Sequence, residues 1–217
     1  MSDFATARAS MIDCQLRPNE VNDERIIRVM STVPREVFLP KAKRSIAYVD
    51  EDIEVKDGRY VMEPVIFGKL LVAAKISQDD LVLDIGCVSG YSAAVIAGLC
   101  DAVVALEATD EMVALAEKKL AALDVMNVAV VKGDLAAGVA KQGPFDVIFL
   151  EGAVQSVPSG LIKQLREGGR LLCVKLEDGV GRGHMIAMKD GEAVETVLFD
   201  ANVHALPDFQ NEASFVF

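Results

Sequence analysis

From residue 81 to residue 176, short apolar segments alternate with amphipathic ones along the chain. Each apolar segment has few internal polar positions and is followed by glycine or charged residues. Continuous apolar runs of this kind are typical of parallel strands that helices cover on both faces. The segments predicted as strands are 81–85, 102–107, 127–134, 145–153 and 170–176.

Capping signals and apolar periodicity predict helices before and between these strands. The predicted starts are Asn22-Asp23-Glu24, Pro34, Glu63-Pro64, the glycine turn after residue 85, Asp110 and Val157-Pro158. The Pro34 helix is predicted to end near Pro40, and the Val157 helix to run to Arg166 and end at Glu167-Gly168-Gly169. The intervening segment 46–60 is polar, contains Asp57-Gly58 and predicts an irregular hairpin or loop.

After residue 180 the pattern changes to two strands joined by Lys189-Asp190-Gly191, which predicts an antiparallel hairpin at a sheet edge. The predicted fold class is α/β: a Rossmann-like, doubly wound, mostly parallel seven-stranded sheet with an antiparallel C-terminal hairpin and a helical N-terminal extension. Residues 1–60 are predicted to form the extension and residues 61–217 the main domain, together one structural unit.

Composition and charge indicate which partners, metals and cellular compartment to expect. The chain has 217 residues, of which 52% are hydrophobic, and a formal net charge of -11. An acidic protein repels phosphates and anionic lipids, so neither nucleic acid nor membrane is an expected partner. The four cysteines form no Cys-x-x-Cys pair and are predicted to be buried, reduced thiols, which favours the cytoplasm. With only two histidines, no metal site is expected, and the oligomeric state is left open.

The glycine turn after the first strand predicts a nucleotide-type ligand site. Gly86 follows the strand that ends near Asp84, and Gly90 enters the next helix. In dinucleotide loops the first and last glycines stand five residues apart. The separation of four found here is typical of S-adenosylmethionine loops, and Asp84 can face a positive ligand group.

Two further acids follow the next two strands. Glu107 ends the second strand, where an acid accepts hydrogen bonds from ribose hydroxyls, and Asp134 follows the third, where it can accept from an adenine amino group. Val88 occupies the middle position of the loop, which glycine normally takes so that backbone can approach the ligand. A β-branched residue resists positive φ there and projects into the ligand gap, although the loop can also shift and still bind.

Three long segments carry a family resemblance. They are NDERIIRVMSTVPREVFLP (22–40), LDIGCVSGYSAAVIA (83–97) and GPFDVIFLEGAVQSVPSGLIKQLREGGRLLCVK (143–175). Together they resemble the protein-L-isoaspartate (D-aspartate) O-methyltransferases, which have the class I S-adenosylmethionine-dependent methyltransferase fold. The resemblance implies methyl transfer from S-adenosylmethionine to isoaspartyl carboxylates in damaged proteins, hence protein repair. The cofactor-contact positions that it implies are Asp84, Gly86, Cys87, Gly90, Tyr91, Glu107 and Asp134.

Besides Val88, the chain departs from the family pattern at two positions near the acceptor. The family carries a Gly-Gln-Thr-Ile-Ser-x-Pro type of motif before the helix at residue 65, and this chain has Gly58-Arg59-Tyr60-Val61-Met62-Glu63-Pro64. Met62 therefore replaces the serine at the methyl-transfer site, so the catalytic residue is unknown. Glu151 replaces a small hydroxyl-bearing residue, and it either faces an acceptor or simply faces solvent.

These departures leave three hypotheses open. The chain methylates isoaspartyl carboxylates, or it methylates a different acceptor such as a hydroxyl or an amine for which Glu151 is the base. Alternatively, it is a degenerate family member with weak or no catalysis that binds a nucleoside ligand or a protein.

Overall fold

Strands dominate the centre of the computed structural model, which describes residues 3–209. Two of them, β1 (Ile53–Lys56) and β2 (Arg59–Val61), form a small antiparallel hairpin of their own. The other seven form one sheet: β3 (Leu81–Ile85), β4 (Ala102–Glu107), β5 (Val128–Lys132), β6 (Phe145–Val154), β7 (Leu165–Glu177), β8 (Val180–Lys189) and β9 (Glu192–Asp200).

The strand order in the large sheet is β5-β4-β3-β6-β7-β8-β9. Strands β3 to β7 are mutually parallel, whereas β8 and β9 run antiparallel to their neighbours. The order reverses direction between β3 and β6, which is where open α/β sheets bind ligands at their carboxyl ends. This architecture confirms the predicted fold class and the C-terminal hairpin.

Within residues 3–209 the α-helices number seven: α1 (Phe4–Met11), α2 (Glu24–Thr32), α3 (Arg35–Phe38), α4 (Pro64–Ala74), α5 (Tyr91–Ala97), α6 (Asp110–Ala121) and α7 (Ser159–Ile162). Short π or 3₁₀ helices occur at 12–16, 17–19, 41–46, 140–142 and 207–209. Asp23 caps α2 through the backbone amide of Arg25, as its position before the apolar run predicts.

Two helix boundaries differ from prediction. The cap of α6 is Thr109, whose side chain accepts from the Met112 amide, and not Asp110. Helix α7 is a single turn instead of running to Arg166, because Leu165 already pairs with Phe145 of β6. Consequently 167–169 lies inside β7, where a Cβ on Gly169 would come within 2.9 Å of the Phe145 carbonyl oxygen. Strand pairing therefore overrides the helix that the local sequence favours.

The apolar core lies on both faces of the sheet. Alternate residues of one strand face opposite sides, so Phe149 belongs to a different buried cluster from Ile148 and Leu150. The larger cluster contains Met30 of α2 and Leu70 of α4 as well as Phe149, so the extension and the main domain share it. The division of the chain at residue 60 stays a prediction.

Three of the four cysteine thiols are buried or half-buried. Cys87 and Cys173 are buried, Cys100 is half-buried, and all four cysteines are free. Cys14 is exposed, so the prediction of a buried thiol is wrong there, because this residue lies on a solvent-facing part of the turn after α1. No helix within residues 3–209 is long and apolar enough to span a bilayer.

Candidate active site

The glycine loop has the backbone conformation that its spacing predicts. Gly86 has φ +83° and its amide donates to the Leu106 carbonyl oxygen at 2.9 Å. Gly90 has φ +91°, and a Cβ there would lie 3.3 Å from Leu120 Cγ of α6. Both positions require glycine, one for the turn out of β3 and one for close packing of α5 against α6.

Val88 adopts the left-handed backbone region that β-branched residues resist. Its φ is +56°, and its side chain is buried. This conformation costs about 1–2 kcal/mol for a residue with a Cβ. The conformation directs the Val88 amide to the carboxylate of Glu107, which accepts its hydrogen bond. The loop therefore accommodates Val88 in a left-handed backbone conformation and keeps its amide hydrogen-bonded to Glu107.

Glu107, the predicted ribose acceptor, is fully buried and fully engaged. Its two oxygens accept from the guanidinium of Arg59 at 3.0 and 3.1 Å, from the Ala108 amide at 3.2 Å and from the Val88 amide. Burial raises the pKa of Glu107, while Arg59 and the two amides oppose that shift. The fork-like contact with Arg59 is the bidentate geometry in which guanidinium and carboxylate bind most strongly.

Arg59 and Leu206 fill the space in front of the first loop glycine. A Cβ on Gly86 would lie 3.0 Å from Arg59 Nη2 and 3.0 Å from Leu206 Cδ1. Arg59 reaches this point from β2, and Leu206 from the segment after β9, where its amide donates to the Ala153 carbonyl oxygen at 2.8 Å. Two segments distant in sequence therefore meet over the loop.

Asp84 lies at the end of β3 with no exposed surface. Its Oδ2 accepts from the Ser92 hydroxyl at 2.7 Å, whereas no hydrogen-bond partner for its Oδ1 occurs within residues 3–209. Burial, reinforced by the charge of Glu107, raises the pKa of Asp84 to about 7. A buried carboxyl oxygen without a partner favours a ligand that brings a donor.

Glu151 lies near Asp84. Asp84 of β3 pairs with Phe149 of β6, and Glu151 follows Phe149 by two residues, where the pairing of β6 with β7 shifts its register. Glu151 is 8% exposed, and its Oε1 likewise finds no hydrogen-bond partner in the described part of the chain. The interpretation of Glu151 as a solvent-facing residue is therefore wrong. Burial, together with the nearby charge of Asp84, raises the pKa of Glu151 well above its usual value.

Tyr91 is packed inside the protein against α3 and α4. Its ring contacts Phe38 and Phe67 with centroids 5.7 and 6.1 Å apart, and the Arg35 guanidinium lies over it at 4.9 Å. Arg35 is completely buried and donates to the carbonyl oxygens of Ala47 and Met62, each at 2.8 Å. Cation–π contact and carbonyl acceptors compensate the buried charge. Tyr91 thus anchors the start of α5 to the extension.

Asp134 lies in different surroundings, at the outer side of the same sheet edge. It is exposed, and its Oδ1 accepts from the amides of Ala136 and Ala137 at 2.9 and 3.3 Å. Beside it is an open cleft of about 700 Å³ that Ala108, Lys132, Gly133 and Asp134 line. The end of β4, where Glu107 lies, is adjacent to this cleft because β4 pairs with β5.

Comparison with known proteins decides the family. Residues 7–197 match the model of the family described as protein-L-isoaspartate(D-aspartate) O-methyltransferase. A protein-L-isoaspartate O-methyltransferase of Koribacter versatilis is 40% identical over 172 residues, which cover 79% of this chain and 78% of that protein. One of Methanoculleus marisnigri is 34% identical, covering 76% of this chain and 75% of that protein.

The chain belongs to the protein-L-isoaspartate O-methyltransferase family. This confirms the predicted family. It also confirms the prediction that the family consists of enzymes that transfer methyl groups from S-adenosylmethionine.

Solved structures of this family share the fold. A protein-L-isoaspartate O-methyltransferase with 26% identity superposes with a TM-score of 0.79 over 92% of this chain and 65% of that longer chain. A Plasmodium falciparum chain assigned to the same enzyme, in complex with S-adenosyl-L-homocysteine, gives 0.80 at 19% identity over 95% of this chain and 99% of that one. The latter likeness shows the fold.

The acids of this family member fit an S-adenosylmethionine ligand in kind and order. Asp84 and Glu107 lie in the last residues of β3 and β4, and Asp134 follows β5, the next strand of the sheet. Asp84 keeps an unpartnered oxygen, and the cleft beside Asp134 is open. In this conformation Glu107 binds Arg59 instead of facing the cleft. Cys87, also predicted to contact the cofactor, is buried within the loop, and burial raises the pKa of its thiol.

Two arginines of the site escape sequence reasoning. Arg59 precedes Glu107 by 48 residues and Arg35 is separated from Met62 by 27, and no local pattern connects either pair. Their only signal was positional, since Arg59 stands at the glutamine of the family's motif and Arg35 lies within the resembling segment 22–40.

Proposed function

We propose that this chain transfers the methyl group of S-adenosylmethionine to the carboxylate of L-isoaspartyl residues in damaged proteins or peptides. The observation that carries the proposal is the family match over residues 7–197. The three acids along one sheet edge support it independently, because that order suits an ammonium, a ribose diol and an adenine.

The residues proposed to hold the cofactor are Asp84, Gly86, Cys87, Gly90, Tyr91, Glu107 and Asp134. The sulfonium supplies an already activated methyl group, so the protein has to position the reactants and exclude water. Asp84 offers its free oxygen, while Gly86 and Gly90 fix the turn. Tyr91 acts indirectly, through its packing between Phe38 and Phe67, which fixes α5.

At the acceptor side, the surroundings of Glu151 reduce its conflict with an anionic substrate. Burial and the charge of Asp84 raise its pKa and so favour the neutral carboxyl form, which does not repel a carboxylate and can donate a hydrogen bond to one. Once the pH rises through that pKa, the ionised group repels the substrate. Met62 is buried and contributes no hydroxyl, and its carbonyl oxygen holds Arg35.

The test is transfer of a labelled methyl group to an isoaspartyl peptide, with the aspartyl peptide of the same sequence as control. We expect labelling of the isoaspartyl peptide alone, and higher turnover in Met62→Ser, which restores the family's hydroxyl. Absence of labelling in the wild type and in Met62→Ser, at saturating cofactor and with the cofactor bound, rejects the proposed acceptor.

A second candidate keeps the methyltransferase and changes the acceptor. Glu151 and Met62 favour it, because a buried carboxyl group can take the proton of a hydroxyl or amine nucleophile. A screen of such acceptors with labelled cofactor distinguishes the two, since Glu151→Gln abolishes base-dependent transfer but spares transfer to a carboxylate. Binding without transfer to any acceptor supports the degenerate, non-catalytic alternative.

The proposal also includes the cellular compartment, the excluded classes of partner and the domain boundary. The free thiols, two of them fully buried, support a reducing compartment and hence the cytoplasm. The net charge of -11 supports the absence of nucleic-acid and membrane partners. The proposed division at residue 60 into an extension and a methyltransferase domain keeps α1 to α3 together, and residue 60 itself lies inside β2 (Arg59–Val61).

A further inference from the structure

Four residues of two segments form a cover over the glycine loop: Arg59 and Tyr60 of β2, with His204 and Leu206 of the segment after β9. Arg59 and Leu206 both approach Gly86, each within 3.0 Å of the position of a Cβ there. Arg59 donates to both oxygens of Glu107, the acid proposed to accept hydrogen bonds from the ribose diol. The cover therefore occupies one part of the proposed cofactor site with the chain's own side chains.

The two segments of the cover are bound to each other. The rings of Tyr60 and His204 stack with centroids 3.7 Å apart. The amide of His204 donates to Asp52 Oδ2 at 2.7 Å, and Asp52 precedes β1. Beyond His204, an isolated parallel bridge joins Ala205 to Ala153 at the end of β6. A displacement of Arg59 is thus coupled to the C-terminal segment.

The cover leaves the outer side of the site accessible. The cleft of about 700 Å³ next to Asp134 is open, whereas Asp84, Glu107 and Arg59 are buried. An adenine can reach that cleft in this conformation. A ribose diol cannot hydrogen-bond to Glu107, because four donors already fill its two oxygens.

We propose that Arg59 and Leu206 act as an internal competitor of the cofactor, so that S-adenosylmethionine binds fully only after the cover has moved away from Glu107 and Gly86. The inference rests on the proposed function, because it takes Glu107 as a cofactor residue. The apparent dissociation constant is then the intrinsic one divided by the fraction of molecules with an open cover.

The test uses S-adenosylhomocysteine as the probe and calorimetric titration of the full chain. Arg59→Gln, which places the family's glutamine on β2, releases Glu107, and we expect a dissociation constant at least about tenfold lower than that of the wild type. The matched control is Lys56→Gln, which removes a charge from the same hairpin but affects only the exposed ion pairs with Asp57 and Glu111. Its affinity should equal that of the wild type.

A second variant and a second measurement cover the case in which Arg59→Gln does not fold. Leu206→Ala opens the apolar part of the cover and leaves the Arg59–Glu107 pair in place, so its affinity should also rise. Hydrogen exchange without ligand should show faster exchange of the Val88 amide in Arg59→Gln and of the residue 206 amide in Leu206→Ala, since these amides bond to Glu107 and Ala153.

The outcomes separate the competitor from the catalytic proposal. Unchanged or weaker binding by folded Arg59→Gln and Leu206→Ala overturns the competitor, even if the wild type transfers methyl groups. Tighter binding without transfer to isoaspartyl peptide supports the competitor and rejects the proposed acceptor. Absence of binding by every variant overturns both.

Discussion

The inner and outer halves of one sheet edge differ in how they use the same kind of residue. In the inner half, Asp84, Glu107 and Glu151 are buried, and each has a raised pKa. In the outer half, Asp134 is exposed and caps its own turn beside an open cleft. Asp84, Glu107 and Asp134 were all predicted as strand-end ligands, each of a different part of the cofactor.

The difference teaches that burial, and not residue type, decides what such an acid can do. In the interior a carboxyl group either pairs with a cation, as Glu107 pairs with Arg59, or has a raised pKa that favours its neutral form, as Glu151 has. At the surface water solvates the charge, and Asp134 needs neither. The inner half is therefore sensitive to pH and to single substitutions, and the outer half is tolerant of both.

The largest expected contrast is in stability. Glu107→Ala leaves the Arg59 guanidinium buried without its partner and should lower the free energy of unfolding by about 3–5 kcal/mol. Asp134→Ala loses turn hydrogen bonds at the surface and should cost about 1 kcal/mol. Urea denaturation of the two variants beside the wild type measures both. Equal losses would remove the distinction between the halves.

The pH dependence of stability should come from the inner half. The pKa of the Asp84 carboxyl group is 3.8 in the unfolded chain and about 7 in the folded protein, so the folded state binds the extra proton between these values. Its stabilising contribution is complete below pH 3.8 and is lost as the pH rises through about 7. Asp84→Asn should flatten the decline of unfolding free energy by up to about 1.4 kcal/mol per pH unit.

Urea denaturation at about pH 5, 6, 7 and 8, which spans the upper part of this window, checks the expectation. Asp134→Asn is the matched substitution in the outer half. The expectation is wrong if Asp84→Asn and Asp134→Asn follow the same pH profile.

At Val88, in the loop that borders the inner half, we expect the usual stability order of alanine and glycine substitutions to be reversed. Val88→Ala removes buried methyl groups and keeps a side chain at φ +56°, whereas Val88→Gly removes the same groups and relieves that strain. We therefore expect Val88→Gly to be more stable than Val88→Ala by about 1 kcal/mol, although glycine is normally the weaker choice. Thermal unfolding measures the order, and the usual order, alanine above glycine, would show a loop without strain.

The smallest effect is expected at the rim of the outer cleft. Lys132 donates to Asp110 at 2.6 Å, but both side chains are at least half exposed. Solvent screening limits such pairs to about 0.2–1 kcal/mol, so Lys132→Ala should change the free energy of unfolding by less than about 0.5 kcal/mol. A loss similar to that of Glu107→Ala would show that the outer half is as tightly coupled as the inner one.

Much of the fold follows from local pattern. The bounds of β3 and β4 agree with the apolar runs 81–85 and 102–107, because an apolar strand between turn residues has few alternatives. The prediction failed for α7, where the pairing of Leu165 with Phe145 depends on a partner strand that the local sequence does not reveal. Val88 at positive φ was foreseen as a conflict, but its resolution through the Glu107 carboxylate was not.

By itself the sequence determined the order of strands and helices, the glycine turn, the family and the acids at the strand ends. These depend on short-range periodicity and on residue types, which are independent of distant contacts. The tertiary structure alone decided that Arg59 neutralises Glu107, that Glu151 is buried beside Asp84, and that Leu206 lies over Gly86. Such features arise where segments distant in the chain meet, since dielectric environment and side-chain proximity exist only after folding.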